Sequence, residues 1–173
     1  MQTDNQVNIW VPGIPQPGGS KKGFVYFDKD RGKHRAVLTE DNRKSKPWRQ
    51  SVEWSAQETI KTPMQGALEM RIVFFMPRPK NHYGTGKNAR TLKPSAPHFH
   101  TSKPDTTKLI RSTEDALKGI AWIDDTQVAD QSAQKIYGDR PGALIQIRTA
   151  IPNSPDQKLV YDEIIRRLGM RFL

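Results

Sequence analysis

The sequence contains no cysteine. That excludes disulfides, thiolate zinc sites and cysteine nucleophiles, and it fits a reducing compartment. Long apolar runs are missing too: no stretch approaches the ~18 apolar residues of a membrane span. The first eight residues, Met1 to Asn8, are polar and hold no signal-peptide apolar run. The expectation is a cytoplasmic protein with no membrane partner. Apolar residues make up only 35% of the 173. This length suits one domain with a compact core and is short for two. Acid is scarce relative to base, leaving a formal net charge of +10. Such an excess repels itself in a compact fold, so polyanions are the first partners to consider: DNA, RNA or an anionic membrane surface.

The periodicity predicts an α/β chain. Val7, Ile9 and Val11 alternate as in a half-buried strand. Pro12, Gly13, Pro15, Pro17, Gly18 and Gly19 then make a loop, with Lys21 and Lys22 just beyond it. Phe24 to Phe27 and Ala36 to Leu38 read as two short strands around a polar turn. Trp48, Val52, Ala56 and Ile60 recur every four residues and give a first helix its apolar stripe, ended by Pro63 and Gly66. Leu68 to Met76 is apolar on both alternating faces and reads as the central strand. A second helix begins at Asp105, a suitable N-cap, with Leu109, Thr113, Ala116, Leu117 and Ile120 on one face. Val128 to Tyr137 and Ala143 to Thr149 are expected to form a hairpin across Gly138 to Gly142. Ser154-Pro155 opens a last helix lined by Val160, Ile164 and Leu168 and stopped at Gly169. The predicted architecture is a single domain over residues 1–173, a mixed β-sheet flanked by helices.

Charge is unevenly placed. Residues 70–104 contain no acid but carry Arg71, Arg78, Lys80, Lys87, Arg90, Lys93 and Lys103, with Tyr83 and Phe99 interleaved. The segment 77–104 is rich in Pro, Gly, Asn and Lys, and is expected to be a long flexible basic loop. Cations there can meet phosphates and rings can wedge against bases; a merely soluble loop is the plain alternative. Acids then cluster: Asp105, Glu114, Asp115, Asp124, Asp125 and Asp130 follow in quick succession. Carboxylates repel phosphates unless a divalent cation lies between them, and magnesium takes such oxygen ligands together with phosphate and water. That pattern suits a metal-dependent nuclease. Its plain alternative is a capping Asp105, a solvated Glu114-Asp115 face and a turn at Asp124-Asp125.

The stretch Lys103-Pro-Asp-Thr-Thr-Lys-Leu-Ile-Arg-Ser-Thr-Glu-Asp-Ala-Leu-Lys-Gly, followed by Trp122-Ile-Asp-Asp-Thr-Gln-Val, resembles the RusA family of Holliday junction resolvases. The loop Pro12-Gly-Ile-Pro-Gln-Pro-Gly-Gly-Ser-Lys-Lys is similar to that family's opening loop, and Lys135 fits a recurring lysine. The resemblance implies a homodimer that uses magnesium or manganese and nicks four-way DNA junctions in paired positions. It implies Asp105 and Asp125 as metal ligands and catalytic residues, with Asp124 a supporting or alternative ligand. Arg111 stands where many members carry a catalytic lysine and could hold the scissile phosphate. One position departs from the pattern: well-known members have a second aspartate two residues after the first, and here it is Thr107. Asp115 lies ten residues from Asp105, ~15 Å along a helix, and is assigned a supporting or structural role.

The expected DNA contacts are Lys21, Lys22, Lys80, Lys87, Arg90, Lys93, Lys103, Lys108 and Lys135. His98-x-His100 could pinch a metal, but no third ligand is near, and phosphate contact fits better. The nucleophile-elbow and Walker spacings are absent. Trp48 and Trp54 are expected in the core or at a dimer contact. A second reading is a junction- or single-strand-binding accessory whose site has decayed, favoured by Thr107. A third is a nuclease acting on RNA.

Overall fold

In the computed structural model, the described residues are 6–18, 21–40 and 42–150; of the side chains of residues 21, 22 and 38–40 nothing is described. The expected C-terminal helix lies outside them. The elements are β1 (Gln6–Pro12), β2 (Lys21–Asp28), β3 (Lys33–Glu40), α1 (Ser45–Thr59), β4 (Leu68–Pro77), α2 (Thr106–Leu117), β5 (Val128–Gly138) and β6 (Gly142–Thr149). Four strands form one mixed sheet in the order β1-β6-β4-β5, while β2 and β3 form a separate antiparallel ribbon.

The core follows from side-chain alternation. Register sets Ile9 beside Ile145 and Ile145 beside Ile72, then Val11 beside Ala143 and Ala143 beside Phe74. All of these are buried, on the sheet face that meets the helices. Trp48, Val52 and Ala56 of α1 and Leu109, Ala116 and Leu117 of α2 close the same cluster. Trp48 Nε1 donates to Thr113 Oγ1 at 3.4 Å, tying the two helices. Chain direction changes earlier than Pro63: α1 ends at Thr59, and Ile60 is already extended. Trp54, unlike Trp48, is 66% exposed and belongs to no core.

β4 is interior, as its composition predicts, but only one of its faces is fully covered by the described residues. Leu68, Met70, Ile72, Phe74 and Met76 are buried, whereas Val73 and Phe75 are half-buried and Arg71 is exposed. Glu69, buried on that second face, is held by Arg71 and by Arg148 of β6.

The expected hairpin of the last two strands does not form. β5 runs parallel to β4, β6 runs antiparallel to it, and the two flank β4 without pairing with each other. Strands on either side of a third lie only about 10 Å apart, which the short segment 138–142 spans across the end of β4. Gly138 makes the crossing possible: a Cβ there would stand 2.9 Å from the Phe75 ring. Alternation alone cannot distinguish this strap from a hairpin turn, because both join two strands through glycines.

The segment 77–104 differs from a flexible loop. It holds two single 3-10 turns, Lys80–His82 and Gly86–Asn88. Its strands of chain bond to each other through Gly84 N to Thr91 O and Lys93 N to His82 O. It is pinned to β5 by His100 N to Lys135 O and by Tyr137 N to His98 O. Around Tyr137 gather His82, His100 and the Arg78 guanidinium, with the latter 5.2 Å from the ring centre.

Candidate active site

Asp105 stands at the N-cap of α2, with the extended backbone of a capping residue. Its carboxylate makes no capping hydrogen bond. It lies 58% exposed, paired with Lys108 Nζ at 3.1 Å. The sequence expectation of a capping aspartate therefore holds for the backbone and fails for the side chain, which is left available for other chemistry. The preceding segment, with a cis Lys103-Pro104 bond, is fixed by Lys135. The Lys135 ammonium donates to the carbonyl of Ser102 at 2.6 Å and to that of Pro104. Lys135, expected as a phosphate contact, thus reaches inward and positions the residues before Asp105. Burial lowers its pKa, against the opposing pull of the Asp105 charge. Burial, then the charge of Lys135, lowers that of His100 as well.

A cavity of about 520 Å³ opens here, walled by Ile14, Pro15, Met76 and Pro104 and edged by Lys103, Asp105 and Lys108. The N-terminal loop is held against α2 by Gly18 N to Lys108 O. Arg111, one turn along, is exposed. Lys80, Lys87 and Arg90 are exposed on the segment 77–104, and Lys93 Nζ is bonded to Asn81 O at 2.8 Å. For Lys21 and Lys22 only the backbone, in β2, is described.

At the other end of α2 stands a second group. Gly119, with φ of +81°, turns the chain out of the helix. Asp124 caps the turn Asp125–Gln127, accepting from Thr126 N, while Gln127 reciprocates in a capping box. Gln127 also donates to the carbonyls of Met64 and Gly66, fixing the turn beside the start of β4. Trp122, fully buried, donates from Nε1 to Asp125 Oδ1 at 2.9 Å. Lys118 Nζ bridges Asp124 Oδ2 at 3.1 Å and Asp125 Oδ2 at 3.4 Å. This ammonium stands where a cation shared by the two carboxylates would sit. The Thr126 amide first, and then Lys118, hold the Asp124 carboxyl at a pKa of about 2. Glu114, bonded to Gln131 at 2.6 Å, has its pKa raised by burial and by the nearby charges of Asp125 and Asp115. Asp115 pairs with Arg49 of α1 at 3.1 Å, a structural tie between helices.

Lys118, Trp122 and Glu114 were not assigned roles from sequence. The Trp122-x-x-Asp125 spacing is the one signal that could have suggested a positioned carboxylate.

The two groups are apart in one chain. Asp105 lies level with Lys135, and Asp125 precedes Val128, seven residues earlier on the strand. By strand rise that is roughly 23 Å, and the helix between the groups spans about 18 Å. Allowing for side-chain reach, Asp105 and Asp125 stand on the order of 15 to 20 Å from each other. Among the described residues, no three His, Asp or Glu side chains converge as a metal-binding group. The donors are hard carboxylate oxygens suited to a divalent cation, but one chain supplies them in two places. His98 and His100 likewise form no such group.

Residues 25–148, from within β2 into β6, match the endodeoxyribonuclease RusA family. The chain belongs to the RusA family. It is also 28% identical over 148 residues to the uncharacterized protein YqaN of Bacillus subtilis (strain 168), covering 82% of this chain and 95% of that protein. RusA membership makes this chain one of a group of DNA endonucleases that act on branched DNA and depend in general on divalent metal. Among the described residues, the mixed four-stranded sheet with its two α-helices agrees with the expected α/β class. Among the described residues no helix is long and apolar enough to cross a membrane.

Proposed function

We propose that this RusA-family chain is a magnesium-dependent endonuclease, with manganese as an alternative ion, that resolves four-way DNA junctions by paired nicks as a homodimer. The observation that carries the reading is Asp105: an exposed carboxylate without a capping bond, ringed by Lys103, Lys108 and the Lys135-held strap. In a protein of net charge +10, an acid so placed repels DNA unless a cation sits on it.

Asp105 and Asp125, with Asp124 beside the latter, would supply carboxylate oxygens to the ion, and because they stand apart in one chain they would meet at one ion only across the homodimer. A divalent ion there would polarise the scissile phosphate and lower the pKa of an attacking water. Lys103, Lys108 and Arg111 present cations to the phosphate, and Arg111 offsets its developing charge. Lys80, Lys87 and Arg90 meet the backbones of the junction arms. Contacts of this type carry no sequence information, so branch shape selects the substrate. Two-fold symmetry then matches two sites to two strands of like polarity.

The test is nicking of labelled four-way DNA with and without magnesium. The wild type should cut only with the ion, and Asp105→Asn and Asp125→Asn should bind without cutting. Metal-independent cutting, or full activity in both variants, would overturn the reading. Thr107, exposed in the first turn of α2, favours a second reading, a junction-binding accessory without catalysis; binding with no nicking by the wild type would establish it.

A further inference from the structure

We infer that the cavity beside Asp105 is a nucleobase pocket, which takes the unstacked base of a nucleotide flanking the scissile phosphate and discriminates among bases through Gln16. The inference deepens the nuclease reading above and rests on it for the position of the phosphate.

Three observations carry it. The first is the chemistry of the walls. Ile14, Pro15, Pro17, Met76 and Pro104 line the cavity with apolar atoms, while the charged groups of Lys103, Asp105 and Lys108 stand at its edge. A metal ion and a phosphate have no use for that apolar surface. A nucleotide uses both parts, with its phosphate among the edge cations and the flat faces of its base against apolar side chains. The volume, about 520 Å³, falls within the ~300–1,000 Å³ usual for sites that enclose a small organic group.

The second is the polar content. Gln16 and His100 are the two neutral polar side chains of the lining, and both are half-buried. The Gln16 amide has no hydrogen-bond partner among the described residues. It presents a donor and an acceptor side by side, the pattern that matches a base edge. His100 packs its ring against Tyr137 and, with its pKa lowered by burial and then by Lys135, brings no charge to the interior.

The third is rigidity. The loop carrying Ile14 to Pro17 is tied by Gly13 N to Pro141 O at 3.2 Å, by Gly18 N to Lys108 O at 3.3 Å and by Asn42 Nδ2 to Pro17 O at 2.8 Å. The facing wall is held by the Lys135 bonds to Ser102 and Pro104. Walls pinned on both sides keep their spacing, so a base enters without the cost of ordering a loop. Unstacking is least costly where pairing is already interrupted, as at the crossover of a junction. Hydrogen bonds from Gln16 then supply what phosphate contacts lack, a preference for the base at the cut.

Cross-linking reports whether a base occupies the cavity. The chain has no cysteine, and Ile14 is 50% exposed, so Ile14→Cys places one thiol at the pocket without disturbing the core. Four-way junctions carry, at one nucleotide at a time, a base with a short thiol tether protected as a mixed disulfide. In the absence of magnesium, Ile14→Cys should link to a nucleotide beside the cut phosphate and not to those farther along the arms. Trp54→Cys, on the exposed side of α1, should link to none. Even linkage along the arms, or none beside the cut phosphate, would overturn the inference. Gln16→Leu supplies a second measurement, since it keeps a side chain of similar size and removes the hydrogen bonds. On junctions free to migrate through varied sequence, the wild type should favour the best base over the worst by about 5- to 100-fold at that nucleotide. Gln16→Leu should bring the ratio close to one. A merely structural fault would lower cutting at every sequence alike and leave the ratio standing, and a ratio that survives refutes the role of Gln16. If the wild type fails to nick with magnesium, the nuclease reading falls, while linkage at the branch point still decides whether the cavity takes a base.

Discussion

At the residue scale, the carboxylates differ in what they do for the fold, and substitutions should separate those duties. Asp105 contributes no capping bond, and asparagine is as good a residue at that position. Asp105→Asn should therefore leave the melting temperature within about a degree of wild type while reducing nicking by about 100-fold or more. Thermal unfolding and junction cleavage on one preparation measure both. Glu114 behaves differently. Its folded-state pKa is raised, chiefly by burial, so the folded protein holds a proton that the unfolded chain releases. Stability contributed by that proton is present at low pH and is lost as pH climbs from the ordinary carboxylate range through the raised value. Glu114→Gln cannot lose a proton and should show a smaller fall in melting temperature between pH 4 and pH 8 than the wild type. An identical fall in both proteins would show that Glu114 is not the titrating group.

At the element scale, the strap before α2 depends on a lysine. Removing the two hydrogen bonds of Lys135 by Lys135→Met should release the carbonyls of Ser102 and Pro104 and lower cleavage by about 10- to 100-fold, as for other partners that orient a ligand. Junction affinity at fixed salt should change little, since this ammonium faces protein. Phe74, fully buried at the centre of β4, should cost about 3–5 kcal/mol on truncation to alanine, read by urea unfolding. The elements themselves were largely legible from sequence, because β1, β4, α1 and α2 each bury one clean periodic face. Strand pairing was not. Ala143, Ile145 and Ile147 announce a buried face, yet nothing in that alternation says whether the neighbouring strand is β5 or β4. The candidate site came from the sequence as a set of residues, since Asp105, Asp124 and Asp125 follow from a motif. Their spacing in three dimensions was hidden, because motif order does not reveal that a whole helix stands between them.

At the scale of the whole molecule, the positive charge is divided between cations that face protein and cations that face outward. Lys135 and Lys93 bond to carbonyls, whereas Lys80, Lys87 and Arg90 extend from a segment that β5 holds in place. Replacing these last three by alanine should weaken junction binding and lower the slope of affinity against salt by about one for each phosphate no longer neutralised. An unchanged slope in a titration from low to physiological salt would show that the segment does not touch the DNA backbone.

The path of the chain through its sheet has a consequence for biosynthesis. Among the described residues β6 is the latest strand in sequence, yet it occupies an inner place, bridging β1 and β4. A chain stopped at Gly138 would leave the earliest strand with no neighbour in the main sheet. The main sheet therefore cannot close around β1 and β4 until β6 has been synthesised, so truncation before Gly142 should abolish cooperative unfolding.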